Sequence, residues 1–288
     1  MYDKIKIIES PRDAMQGIKS FIPTELKIKY LNQLLKVGFD SLDFGSFVSP
    51  KAIPQLKDTS EIVGKLELSS SKTKLLAIVG NLKGATQATD FDEIHYLGFP
   101  YSLSETFLKI NLNSTKSEVL KTIEQIQNIC IKRNKTLLLY FTFAFGNPYG
   151  DKYSNADIIS EISDFKKIGI EEFGLTDILG IATSENITKI FSDIFRCFEN
   201  IEIGLHLHTE PKNWYEKIHA AFQSGCKRFD VVLNGFGGCP MTSSELVGNL
   251  DTNNLLQYFS NNNIELNINS EELKIANEIS NEIFTEYL

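Results

Sequence analysis

The stretch "GLHLH", residues 204–208, places two imidazoles at positions i and i+2. On a strand such residues face the same way, so His206 and His208 share one face while Leu207 points to the other. Two imidazoles on one face make a bidentate site for a divalent metal; the alternative is a pair of hydrogen-bonded histidines near the mouth of the fold. Asp13 in "PRDAMQ" offers a hard oxygen ligand, and Asn249 in "ELVGNL" a second. A mixed nitrogen and oxygen set with open positions suits Mg2+ or Mn2+ better than structural zinc. Arg12 is either half of a surface ion pair with its neighbour or a fixed guanidinium that stabilises a developing oxyanion. Cys239 lies in "LNGFGGCPM", where Gly235, Gly237 and Gly238 permit backbone conformations closed to other residues. It is either a small residue in a tight turn or a thiol able to donate a proton or attack as a nucleophile. The other histidines read as structural: His219 on a helical pattern, His95 partly buried in mid-strand.

Residues so far apart in the chain need a scaffold that gathers them. Eight strand-like runs alternate with helical patterns: "IKII", "DSLDFG", "KLLAIV", "EIHYLGF", "TLLLYFTFAF", "EEFGLT", "IEIGLHLH" and "RFDVVLN". Between them, "PTELKIKYLNQLLKVG" and "TKSEVLKTIEQIQNICIKRN" carry apolar residues at helical spacing. Such alternation predicts a parallel sheet, and eight units in a chain of this length predict a closed (β/α)8 TIM barrel. A Rossmann fold would need a glycine-rich turn after the first strand, and "ESPRDAMQ" has no glycine. Two helical patterns after Met241 predict a C-terminal extension. The expected organisation is a single domain over 1–288, with the barrel in 1–240 and a helical extension in 241–288 packed on it.

In such barrels the chemistry lies at the C-terminal ends of the strands. Those ends carry Glu9 with Arg12 and Asp13, then Asp43 and Ser46, Asn81 and Lys83, Ser104 and Glu105, Asn147 and Tyr149, Thr176 and Asp177, the two histidines, and Cys239. Ionisable groups converging from several strands exceed what ordinary loops require.

The net charge of −8 over 288 residues argues against non-specific binding to nucleic acid or to an anionic membrane. The N-terminal "MYDKIKIIES" lacks the apolar run of a signal peptide, and no stretch is apolar enough to span a bilayer. Cys130, Cys197, Cys226 and Cys239 form no CxxC pair. A cytoplasmic chain with reduced thiols is expected, with Cys130 and Cys197 as buried small hydrophobes on helices.

In chain order, "PRDAMQ", "SFVSPKAIPQ", "NLKG", "SETFLKINLN", "GNPYG", "GLTDILG", "HLH", "NGFGGCP" and "GNL" resemble the hydroxymethylglutaryl-CoA lyase family over nearly the whole chain. "SFVSPK" and "GGCP" are the more specific parts; "RD" followed by "HxH" is shared with a wider superfamily of metal-dependent acyl-CoA lyases and condensing synthases. The resemblance implies cleavage of 3-hydroxy-3-methylglutaryl-CoA to acetoacetate and acetyl-CoA, a step of leucine degradation, by an enzyme that acts as a homodimer. It implies that Asp13, His206, His208 and Asn249 hold the divalent metal, and that Asp13 or His206 takes the hydroxyl proton. Arg12 would stabilise the enolate, and Cys239, on a loop closing over substrate, would protonate it. Arg12, Lys19, Asp43, Asn81 and Asp177 form the expected substrate-binding set, Lys19 by its place after "PRDAMQ".

Several positions depart from the family pattern. Ala14 and Met15 stand for glycine and leucine, Asp43 for glutamate, Asn147 for cysteine, Thr209 for aspartate and Asn253 for glutamate. These changes can retune the metal or the acyl pocket. A related lyase acting on another 3-hydroxyacyl-CoA, and a condensing enzyme or aldolase of the same superfamily, are therefore the alternatives. A catalytically dead barrel serving as a scaffold is the alternative of another class.

Overall fold

A computed structural model of the chain describes residues 4–238 and 247–288. In it, β1 (Lys6–Glu9) leads into α1 (Pro11–Gln16) and α2 (Thr24–Val37), and β2 (Ser41–Ser46) into α3 (Thr59–Val63). Then come β3 (Lys74–Ile78), α4 (Leu82–Ala88), β4 (Ile94–Tyr101), α5 (Glu105–Leu112) and α6 (Lys116–Lys132). The chain continues with β5 (Thr136–Thr142), α7 (Asn155–Lys167), β6 (Glu172–Asp177), α8 (Ser184–Cys197), β7 (Glu202–Leu207), α9 (Trp214–Gln223) and β8 (Arg228–Val231). It ends with α10 (Thr252–Asn261) and α11 (Ser270–Tyr287). Neighbouring strands pair in parallel and in sequence order, and β8 pairs with β1, which closes the predicted barrel. All eight expected strands are present.

Sequence periodicity passes over α1, α4 and α5. Each has eight residues or fewer, too few turns for an apolar stripe to repeat. Their starts are set locally: Pro11 opens α1, while the Asn81 and Ser104 side chains accept from Gly84 N and Phe107 N to cap α4 and α5.

The strand alternation sorts side chains to two sides of the barrel wall. Phe173, Leu175, Ile203, Leu205, Leu207, Phe229 and Val231 belong to the main apolar core, packed between strands and helices. The alternate residues point inward, where a smaller cluster of Ile8, Leu76 and Leu138 packs with Tyr96 and Tyr140. Around it the interior is polar, and glycines on the inward face make room for it. A Cβ at Gly174 would lie 2.5 Å from the Tyr140 ring, and one at Gly98 would lie 3.2 Å from the same ring. A Cβ at Gly204 would lie 2.4 Å from Arg228 Nε.

The C-terminal helices cover one side of the barrel. Helix α11 packs on α2, with Tyr30 edge-on to Phe284 at 6.3 Å, and Phe236 stacks on Phe284 at 4.7 Å. Glu9, wholly buried at the end of β1, ties this side together. Its Oε1 accepts from Leu233 N at 2.8 Å, and its Oε2 accepts from the Thr252 hydroxyl at 2.6 Å. Burial pushes the Glu9 carboxyl up to about 8, so it is neutral over the acidic and neutral range.

Two minor expectations need correction. His95 is exposed, because it sits at the start of β4 where the strand slips register against β3 and leaves it unpaired with that strand, with Nδ1 2.9 Å from Glu93 O. Cys197 is also exposed, being the last residue of α8, whereas Cys130 is buried as expected. The thiols of Cys130, Cys197 and Cys226 are free. No helix among the described residues is long and apolar enough to cross a membrane.

Two tests follow from this architecture. Gly174→Ala forces a methyl into the Tyr140 ring, which Gly98 confines from the opposite side, and should destabilise the barrel by about 1–3 kcal/mol. A urea midpoint equal to that of the parent chain would contradict the packing. For Glu9, the folded carboxyl titrates above its unfolded value, so stability is full below about pH 4 and falls as the pH rises through about 8. Glu9→Gln keeps an oxygen for Leu233 N–H and an amide for Thr252, and should flatten that decline. Urea unfolding from pH 4 to 9 measures it, and parallel curves for the two proteins would show that Glu9 is not neutral in the fold.

Candidate active site

At the C-terminal mouth, α1 and β7 bring three ligand-type side chains together. Ligand atoms of Asp13, His206 and His208 all lie within 4.8 Å of one another, and all three residues are buried. Both histidines face inward, with ring centroids 5.7 Å apart, and Leu207 faces the outer core as the alternation predicts. Asp13 is carried on the first turn of α1 rather than on β1 itself.

The remaining polar contacts decide which atoms stay free. Asp13 Oδ1 accepts from Arg12 Nη1 at 2.7 Å and Gln16 Nε2 at 2.8 Å, while Oδ2 faces His206 Nε2 at 3.8 Å. His208 Nδ1 lies 2.9 Å from Val247 O. A carbonyl only accepts, so Nδ1 carries the proton and Nε2 keeps the lone pair. Asn249 joins through a bridge to His208. Its Nδ2 donates to Phe236 O at 2.9 Å, which fixes the amide, and its buried Oδ1 has no partner. A buried oxygen without a donor costs free energy unless something else satisfies it. Two imidazole lone pairs, a carboxylate oxygen and an orphaned amide oxygen fit a divalent cation. Gly237 closes this side: its φ is +85°, and a Cβ there would lie 2.9 Å from Ala14 Cα and 3.1 Å from Asn249 Nδ2. A side chain would meet both strain and collision.

Arg12 has only 11% of its side chain exposed and is no surface pair. Its Nε donates to both oxygens of Asp43, at 3.2 and 3.0 Å, and Nη2 donates to Asp43 Oδ2 at 2.6 Å. Nη1 serves Asp13 and Gln16 Oε1. Of five N–H donors, one on Nη2 is left without a partner among the described residues. Asp43 reaches inward where β2 shifts register against β3 between Asp43 and Gly45.

Burial dominates the ionisation. It pushes the His206 imidazole down to about 4, and Asp13 offsets this only in part. Burial alone would raise Asp13, but the positive charge beside it, Arg12 first, holds it at about 2. Burial pushes Asp43 up to about 6 despite Arg12 beside it, which leaves it ionised at neutral pH. Asp230, 3.8 Å from His206 Nδ1, is raised to about 6 by the same cause. Sequence reasoning missed Asp230, although its inward position on β8 follows from the alternation.

Not every expected residue joins this cluster. Asp177 belongs to the opposite face of β6 from Thr176, and its carboxylate accepts from Ile181 N, Ala182 N and Lys217 Nζ. Alternation along the strand sends it toward α9 rather than into the mouth. Asn81 is exposed and spends its side-chain oxygen on the cap of α4. Lys19 is exposed in the segment after α1. Cys239 lies outside the described residues. Two departures from the family pattern have clear structural uses. Asn147 Oδ1 accepts from Tyr149 N and Asp151 N while its Nδ2 donates to Asp151 O, bracing the loop after β5. Asn253 exchanges amide hydrogen bonds with Asn277 of α11.

The chain is similar to known proteins over nearly its whole length. The HMGL-like family model matches residues 4–279. A hydroxymethylglutaryl-CoA lyase of Bacillus subtilis is 30% identical over 274 residues, covering 95% of this chain and 91% of the relative. The human mitochondrial hydroxymethylglutaryl-CoA lyase is 28% identical over 273 residues, covering 94% of this chain and 82% of that protein. An HMG-CoA lyase from Acinetobacter baumannii, solved in complex with coenzyme A and 3-methylmalate, superposes with a TM-score of 0.90 at 28% identity, over 99% of this chain and 92% of that one. With the barrel closed and the Asp13, His206 and His208 cluster at its mouth, the chain belongs to the HMGL-like family and is a carbon–carbon lyase of that family.

Proposed function

We propose that the protein cleaves 3-hydroxy-3-methylglutaryl-CoA to acetoacetate and acetyl-CoA. The observation that carries this reading is the convergence of Asp13, His206 and His208 beside the unpartnered oxygen of Asn249, with Arg12 fixed next to them. A divalent cation, Mg2+ or Mn2+, held by these four residues would lower the pKa of the substrate's tertiary hydroxyl.

The residues divide the remaining work. Asp13 or His206 accepts the hydroxyl proton; the carboxylate and the imidazole face each other across 3.8 Å. The electron pair of that O–H bond forms the new C=O of acetoacetate, and the C2–C3 bond breaks. Its electrons move onto C2 and the thioester oxygen as the enolate of acetyl-CoA. The free N–H of Arg12 supports that oxygen, and Asp43 keeps the guanidinium from turning away. The Cys239 thiol gives C2 its proton and completes acetyl-CoA. Lys19 and Asn81, both exposed on the side of the barrel where the strands end, are suited to the solvent-facing part of an acyl-CoA. Asp177 is withdrawn from the substrate set because its oxygens are already engaged.

A second reading keeps the chemistry and changes the acyl group. Asp43 is wholly engaged by Arg12 and Asn253 by an amide pair, so neither supplies a spare carboxylate to the pocket. That favours a related 3-hydroxyacyl-CoA with different substituents at C3.

Incubation of the purified protein and Mg2+ with hydroxymethylglutaryl-CoA should release acetoacetate. Its absence alongside turnover of an oxo acid would instead identify a condensing enzyme or aldolase. Arg12→Met should lower kcat by about 10²–10³ through the lost oxyanion donor. Cys239→Ala should lower it by about 10²–10⁴ through the lost acid. Circular dichroism checks that both variants fold, and near-normal turnover in either one removes that residue from the mechanism.

A further inference from the structure

One cation near the site is buried and touches no substrate-facing surface. Lys217 of α9 is 1% exposed, and its ammonium has three acceptors. It donates to Gly180 O at 2.8 Å, His208 O at 3.2 Å and Asp177 Oδ2 at 3.3 Å. An ammonium has three N–H donors, so none remains for a ligand. Its acceptors come from the end of β6, the turn after it, and the metal-ligand candidate that follows β7.

Those acceptors are themselves linked. Asp177 fastens the turn by accepting from Ile181 N at 3.0 Å and Ala182 N at 2.9 Å, and its carbonyl accepts from His208 N at 3.2 Å. The same turn carries Gly180, with φ +68°, packed so closely on Val247 that a Cβ would lie 2.9 Å from Val247 Cγ1. Val247 in turn supplies the carbonyl that orients the His208 ring. His208 is thus gripped at its backbone by Lys217 and Asp177, and at its ring by a residue that rests on the turn Lys217 holds.

We propose that Lys217 is a positioning residue of the metal centre, holding the His208 imidazole in ligating orientation through the His208 carbonyl and the Asp177–Ala182 turn. This rests on the metal reading given above. Without the ammonium, two carbonyls lose a donor and Asp177 is left as a buried carboxylate without its cation. The turn and the His208 backbone then lose their common anchor, and the ring nitrogen loses its fixed aim.

The test is Mn2+ binding to the full-length protein, followed by the loss of the free-ion EPR signal, in parent, Lys217→Met, Lys217→Gln and His208→Ala chains. Lys217→Met should weaken Mn2+ binding by about 10–100-fold, the range for partners that orient a metal-bound histidine. Its kcat should recover largely at saturating Mn2+, since the chemical groups are intact. Lys217→Gln, with two N–H donors and no charge, should fall between parent and Met. If the Met variant does not fold, the Gln variant decides alone. Folded variants with a lowered Tm but unchanged Mn2+ affinity overturn the proposal and leave Lys217 a purely structural role. A parent chain that binds no Mn2+, or binding that survives His208→Ala, overturns the metal reading itself and this inference with it.

Discussion

A nearly buried guanidinium must be paired, and the pairing of Arg12 with Asp43 and Asp13 sets the geometry of the whole mouth. Buried ion pairs contribute little net stability, because desolvation offsets their attraction. What this one gives is direction. Asp43 takes two edges of the guanidinium, Asp13 and Gln16 take a third, and the arginine has one N–H left to offer. The same contacts consume Asp13 Oδ1 and leave Oδ2 facing His206. Strand β2 and the short helix α1 are locked to each other, opposite β7, at the point where the chemistry requires fixed distances.

Behind this pair the barrel interior is filled by polar side chains in place of a uniform aliphatic layer. Tyr140 and Arg228 occupy space that Gly98, Gly174 and Gly204 leave open. Asp230 stands between Arg228 and His206, 3.9 Å from Arg228 Nε and 3.8 Å from His206 Nδ1. Charge therefore runs along the axis toward the mouth, while the apolar core lies outside the wall under the helices. The site sits where those two environments meet, and burial there explains why His206 is neutral and Asp13 is held ionised by Arg12.

The strands and the paired histidines were legible in the sequence because both rest on alternation, which survives in a single sequence. Alternation also contains the warning about Asp177: next to an inward Thr176, it must face outward, and a reading by strand ends alone passes over that. Asn81 looked like a pocket residue because caps and pocket residues share the same loops. Lys217 was invisible for a different reason. On a helical pattern a lysine reads as solvated, and only the packing of α9 on the β6 and β7 ends buries it. The free oxygen of Asn249 depends on a hydrogen bond to Phe236 that no spacing rule encodes.

The most direct measurement is anomalous diffraction from crystals of the full-length protein grown with Mn2+. One peak is expected, bounded by Asp13 Oδ2, His206 Nε2, His208 Nε2 and Asn249 Oδ1. A peak elsewhere, or none at this cluster with both histidines intact, would contradict the site and the chemistry built on it.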